Sequence, residues 1–347
     1  MQKPSNNYME QYKQKRKQYG IIIIFLISLL FVSFIFSITQ GAAEIPVSRL
    51  PEILAGGGTQ TEKTIIFEIR FPRAILAVLV GASLSISGVV LQALFRNPMA
   101  DPYILGISSG AGFGAAAAML FGISFTFIGF SGISAAAFFG GIIAILIVYN
   151  IAKIKGSLPV QTLLLSGIAV GAFFSACIAV LMFIAGNKLH GIVFWLFGSM
   201  SFASWDNIIV IIPYFIICSI IIYIFSRDLN VMLLGEEDAK ALGIDTETVK
   251  KVLLGCATML TAAAVSVSGL IGFIGLVIPH ITRILIGPDH RILIPASVFI
   301  GSIALLLTDT LARTIISPVD IPVGIITSLF GAPFFIYLLK KRRHEYF

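Results

Sequence analysis

From Pro102 to Ala152 the chain runs for 51 residues without an Asp, Glu, Lys or Arg. A membrane-crossing helix needs roughly 20 apolar residues, so this stretch alone accommodates two crossings. Ile21–Thr39 and Ala74–Phe95 are free of charge as well. Of the 347 residues, 57% are hydrophobic and 12% charged; soluble domains carry roughly 25% charged residues. That leaves too little polar surface to cover a globule in water, so the chain needs lipid as its solvent. The alternating pattern of a β-barrel is absent, which leaves helices to satisfy the backbone inside hydrocarbon. The expected fold is an all-α polytopic membrane protein.

Uncharged runs and the polar breaks between them give about ten spans, expected at 20–40, 72–95, 103–122, 129–152, 159–184, 207–226, 252–270, 273–287, 292–312 and 322–339. The first is too long for the apolar region of a signal peptide, and no small-residue cleavage pattern follows it, so it is expected to be retained. Cytoplasmic loops are enriched in Lys and Arg. Lys13, Lys15, Arg16 and Lys17 near the start, and Lys340, Lys341, Arg342 and Arg343 near the end, place both termini in the cytoplasm. That demands an even number of spans. Alternating the loops puts 18 of the 24 Lys and Arg inside and 6 outside. Orientation thus accounts for the net charge of +7 without invoking nucleic acid. The division that follows is a basic cytoplasmic tail at 1–19, a ten-span domain at 20–340 with a cytoplasmic loop at 227–251, and a second basic tail at 341–347. The expected location is the cell membrane, multi-pass.

Within the spans, small residues recur four apart at Gly106, Gly110 and Gly114, and at Gly167 and Gly171. Such spacing lets helix backbones approach closely and is read as packing. Cys177, Cys218 and Cys256 are scattered in apolar runs and suggest neither a disulfide framework nor a zinc site. Leu84–Val90 (LSISGVV) echoes Val265–Ile271 (VSVSGLI), with Pro98 and Pro279 at the same offset. The two segments run in opposite directions through the membrane, as an inverted repeat requires.

The polar breaks hold the candidate sites. Gly235-Glu236-Glu237-Asp238-Ala239-Lys240-Ala241-Leu242-Gly243 reads as a short helix with acids in its first turn and a glycine where it stops. Ala239 and Leu242 are its apolar positions, suited either to a groove on a cytosolic partner or to a solvated connector. Arg70, Arg73 and Arg313 stand on the outer side against the charge bias; they suit lipid headgroups or a partner's carboxylates. His280, Arg283 and Asp309 lie within spans, where ionisable groups are costly and often functional, yet no acidic ladder accompanies them as a proton relay would require. Gly57–Thr64 approximates a phosphate-binding loop, but Glu62 replaces its second glycine and would repel phosphate. No nucleophile–base constellation stands out, so the chain is expected to be no enzyme and to bind no metal or cofactor.

Two long segments carry a resemblance. Arg96–Ala111 (RNPMADPYILGISSGA) and Gly269–His280 (GLIGFIGLVIPH) resemble signatures of the iron-chelate and vitamin B12 uptake permeases, a family of ABC importers. The acidic helix ending in Ala241-Leu242-Gly243, Asp289-His290-Arg291, and Pro322-Val323-Gly324 through Gly331-Ala332-Pro333 match as well, over about residues 20–340. The resemblance implies a homodimer of ten-span subunits with the path at the dimer interface. It further implies two cytosolic ATPase subunits that use the ATP, and an extracytoplasmic substrate-binding protein. It assigns Gly235–Gly243 to ATPase coupling, and Arg70, Arg73 and Arg313 to acidic residues of the binding protein. The implied cargo is a metal chelate, ferric siderophore first and cobalamin or haem next. The alternative is an ion- or proton-coupled secondary transporter.

Overall fold

The computed structural model describes residues 6–342 apart from Ile128; of the expected tails at 1–19 and 341–347, the stretches 1–5 and 343–347, with Arg343, lie outside the described residues. Thirteen labelled helices carry the fold: α1 (Asn6–Thr39), α2 (Phe71–Leu94), α3 (Ile107–Phe121), α4 (Gly132–Ala152), α5 (Val160–Ile184), α6 (Leu189–Leu196) and α7 (Trp205–Ile224). After them come α8 (Ser226–Met232), α9 (Glu236–Ala241), α10 (Thr246–Ser268), α11 (Ile274–Ile286), α12 (His290–Thr314) and α13 (Val323–Arg342). Each of the ten expected spans overlaps one of these helices, although the expected span at 103–122 begins in a separate 3₁₀ turn at Pro102–Leu105. Seven are long and apolar enough to cross a membrane, while α3, α11 and α13 contribute shorter apolar runs.

Local chemistry sets several starts. Ser131, Ser204, Asp245 and Asp289 each stand one residue before a helix and accept a backbone N–H from its first turn, which satisfies a donor the helix leaves open. The phosphate-loop look-alike is such a start: Thr59 and Glu62 cap each other reciprocally ahead of Gln60–Lys63, so the carboxylate that excludes phosphate is a capping residue. From Gln60 the chain stays helical through a π-type turn at Thr64–Arg70 into α2. The second span therefore begins earlier than its uncharged core indicated.

α2 and α10 form the centre, with 83% and 72% of their apolar windows buried, against 22% for the corresponding windows of α1 and α5. Glycine permits the tightest contact at the centre. A Cβ on Gly88 of α2 would lie 1.8 Å from the Gly275 carbonyl oxygen of α11, so the two backbones touch where no side chain fits. Gly110 and Gly140 play the same part between α3 and α4, each facing the other's backbone oxygen; the four-residue glycine spacing is packing, as read from the sequence.

Between α10 and α11 the chain leaves the helix, with Gly269 and Phe273 both at φ +69°. Tyr103 answers the exposed backbone: its hydroxyl donates to the Ile271 carbonyl and accepts the Ile271 N–H, both at 3.0 Å. The two signature segments thus meet in space, which accounts for their pairing in one sequence. The echo between 84–90 and 265–271 does not extend to conformation, since the first lies wholly within α2 and the second crosses the end of α10.

Candidate functional site

Two polar clusters lie at opposite ends of α12. The first gathers the segment 227–251. After α8, Gly235 adopts φ +144°, open only to a residue without a Cβ at ordinary strain, and α9 follows at once. Gly243 at φ +88° ends it. Lys250 of α10, itself buried, ties the start of α9 down through Glu236 at 2.6 Å and holds Glu247 at 3.3 Å. Glu247 in turn accepts the N–H of Leu158. The segment is therefore a braced platform rather than a loose connector.

The platform's exposed face differs from the expected one at one position. Ala239 is fully buried in the chain's own core and cannot enter a partner's groove. Leu242 is 66% exposed, as expected, and Leu234, not singled out from the sequence, is 67% exposed. Glu237 and Asp238 are exposed beside them. A recess of about 630 Å³ opens between the start of α9, Phe95 and Arg96 at the end of α2, and Val160 and Gln161 at the start of α5. Arg96 holds φ +47°, so a cation on a strained backbone faces the acids of α9. Its place in the Arg96–Ala111 signature was the only sequence signal for it.

The second cluster gathers the three arginines. Arg73 grips Asp309 with two prongs, Nε to Oδ2 at 2.9 Å and Nη2 to Oδ1 at 3.0 Å, and reaches Asp320 Oδ2 with Nη1 at 2.6 Å. Ser201 Oγ donates to the same Asp320 oxygen at 2.9 Å. Arg313 approaches Asp309 at 3.8 Å and donates to the carbonyls of Ser37 and Gln40 at the end of α1. Arg70 donates to the carbonyls of Ile38, Thr39 and Ala43. The three arginines gather at one end of α12, but the sequence expectation turns them outward, whereas all three are buried. The acidic groups that Arg73 and Arg313 meet here are Asp309 and Asp320 of this chain. Burial pushes the Asp320 carboxyl up, yet the bond from Arg73 and the charge beside it outweigh that and hold it below its usual value. Within the membrane, Arg283 donates to Gln92 at 3.3 Å and Gln92 to the Leu276 carbonyl at 2.9 Å. Asp309 is locked in its ion pairs, an arrangement unsuited to a carboxylate that must pass protons.

The model of the FecCD transport family matches residues 29–341. The chain belongs to that family. It is 45% identical over 286 residues to the cobalamin import system permease BtuC of Halobacterium salinarum, covering 82% of this chain and 76% of that one. It is 37% identical over 336 residues to the iron(3+)-hydroxamate import system permease FhuG of Bacillus subtilis, covering 95% of this chain and 99% of the relative. Among solved structures, one described as an inward-facing conformation of an ABC transporter of metal-chelate type superposes with a TM-score of 0.83 at 34% identity. That superposition covers 93% of this chain and 99% of the other. Membership and the seven long apolar helices make this FecCD-family chain a multi-pass protein of the cell membrane, with transport as its work.

Proposed function

We propose that this chain is the membrane-spanning permease subunit of an ATP-driven importer that translocates a metal chelate. It works as a homodimer with ten crossings per subunit, the path lying between the two copies. Two cytosolic ATPase subunits dock on the platform at Gly235, Glu236, Glu237, Asp238, Leu242 and Gly243, with Leu234 and Arg96 added to it. An extracytoplasmic binding protein delivers the cargo at the end bearing Arg70, Arg73 and Arg313, and these arginines hold the outer segments in the shape it meets. The chain itself performs no hydrolysis and holds no cofactor; ATP belongs to the partner subunits. Ferric siderophore is the preferred cargo, with cobalamin and haem next, a preference that rests on relatives named for hydroxamate and cobalamin import.

The observation that carries this is the platform: an acid-tipped, leucine-bearing face braced by Lys250 and set beside a recess. A secondary transporter has no need of such a face. Replacing Leu234 and Leu242 together by Asp tests it. The expected result is loss of the transporter's ATPase from the purified permease, with the permease still monodisperse. Retention of the ATPase in wild-type amounts contradicts the docking role.

A further inference from the structure

The two clusters are joined by one helix. At its first residues, α12 is clasped to α8 by a single side chain. Asn230 Nδ2 donates to Asp289 Oδ1 at 2.7 Å, while Asn230 Oδ1 accepts the His290 backbone N–H at 2.8 Å and faces His290 Nδ1 at 2.7 Å. Both faces of the amide are used, and the pattern of partners fixes which end is oxygen. His290 is fully buried, so water cannot take over these bonds when they break, and an unmade buried bond is costly. Asn230 lies five residues before Gly235, on the same cytoplasmic segment as the platform.

From His290 to Asp309 the helix rises about 28 Å at 1.5 Å per residue, most of a bilayer. Pro295 lies near the start, and residues 296–314 run on without another proline. At the far end Asp309 carries Arg73, Arg73 carries Asp320, and Asp320 carries Ser201 in the segment that follows α6. Near its middle α12 lies backbone to backbone with α2: a Cβ on Gly81 would stand 2.3 Å from the Gly301 oxygen, and one on Gly301 would stand 2.6 Å from the Gly81 oxygen and 1.9 Å from Ser85 Oγ. Contacts this tight do not deform smoothly; packed elements shift between discrete arrangements.

We propose that α12 is the strut that carries movement of the ATPase-facing segment to the outer face, and that Asn230 is the positioning residue that fastens the segment to it. This rests on the coupling role assigned above. It gives the Asp289-His290-Arg291 signature a task, namely to form the socket for Asn230. It also gives the buried outer ion cluster a task, namely to couple the strut to the segment after α6.

The test uses the permease with its ATPase subunits in lipid nanodiscs, in a background of Cys177→Ser, Cys218→Ala and Cys256→Ala. A spin label is attached through Val319→Cys, an exposed position beside Asp320. Its spectrum is compared without nucleotide and with ATP trapped by vanadate. Without further substitution the label responds to nucleotide. Asn230→Ala lowers that response at least about fivefold, the low end of coupling between linked sites, while the ATPase still co-purifies. Asp309→Asn lowers it equally from the other end, and this variant decides alone if Asn230→Ala does not accumulate as a monodisperse protein. A full response in either variant overturns the proposal, as does a label that never responds. Loss of the ATPase on Asn230→Ala also overturns it, because Asn230 then acts in docking. Absence of the ATPase from the unsubstituted chain is a different failure, that of the coupling role itself.

Discussion

Asp309, 1% exposed, is the acidic partner of two buried arginines. Burying charge is repaid only where partners and hydrogen bonds are complete, and removing one partner of a buried pair costs about 3–5 kcal/mol. Asp309→Ala should therefore lower the thermal midpoint in detergent sharply. Glu62→Gln, which disturbs the surface pair with Arg49, should barely move it, since exposed pairs contribute little. Equal midpoints for the two variants would contradict the burial argument. Asp320 adds a pH dependence. Its carboxyl is held below the ordinary value in the folded chain, so its contribution is present above the unfolded value and fades as the pH falls through the lowered one. The gap in thermal midpoint between wild type and Asp320→Asn should be full near neutral pH and close below about pH 4. A gap that widens in acid would reverse the sign. At Gly88 the objection to a larger residue is steric: Gly88→Val drives a side chain into the Gly275 backbone. Overpacking of a fitted core costs about 1–3 kcal/mol, here read as a further drop in midpoint.

The braced platform makes a prediction of its own at the scale of elements. Lys250→Met removes the cation that ties Glu236 and Glu247 but leaves Leu234 and Leu242 in place. ATPase co-purification should weaken less than with the double leucine substitution, while proteolysis within 234–246 should rise; protection at the wild-type level would remove the bracing role. These elements also show what a sequence does and does not display. The spans were legible because an apolar run of crossing length is a local property, and caps such as Ser131 and Asp289 mark their starts. The short helix Glu236–Ala241 was legible from its acids and flanking glycines. α6 was not, because its eight residues merge with an outer loop of similar composition. The helical stretch from Gln60 to Arg70 was hidden by its charges. The inward turn of the arginines was hidden too, since Arg73 and Asp309 stand 236 positions apart and no local pattern joins them. Ala239 misled for a local reason: a six-residue helix has no periodicity long enough to say which side meets the core.

Over the whole molecule, burial is uneven in a way that suits assembly. α2, α10 and α12 make a tightly packed centre, whereas only 22% of the apolar window of α5 and 28% of that of α7 are covered, leaving broad apolar faces open. The ionisable groups inside the bundle are engaged within the chain, and the polar surfaces open to partners lie at its ends. That distribution fits a permease whose energy arrives from outside the membrane domain. The most direct test is uptake of radiolabelled ferric hydroxamate siderophore and labelled cobalamin by cells with and without this gene, before and after ATP depletion and with an ionophore. The expected result is loss of one ligand's uptake in the deletion strain, matched by ATP depletion and insensitive to the ionophore at constant ATP. Gene-dependent uptake that survives ATP depletion and collapses with the ionophore would contradict it.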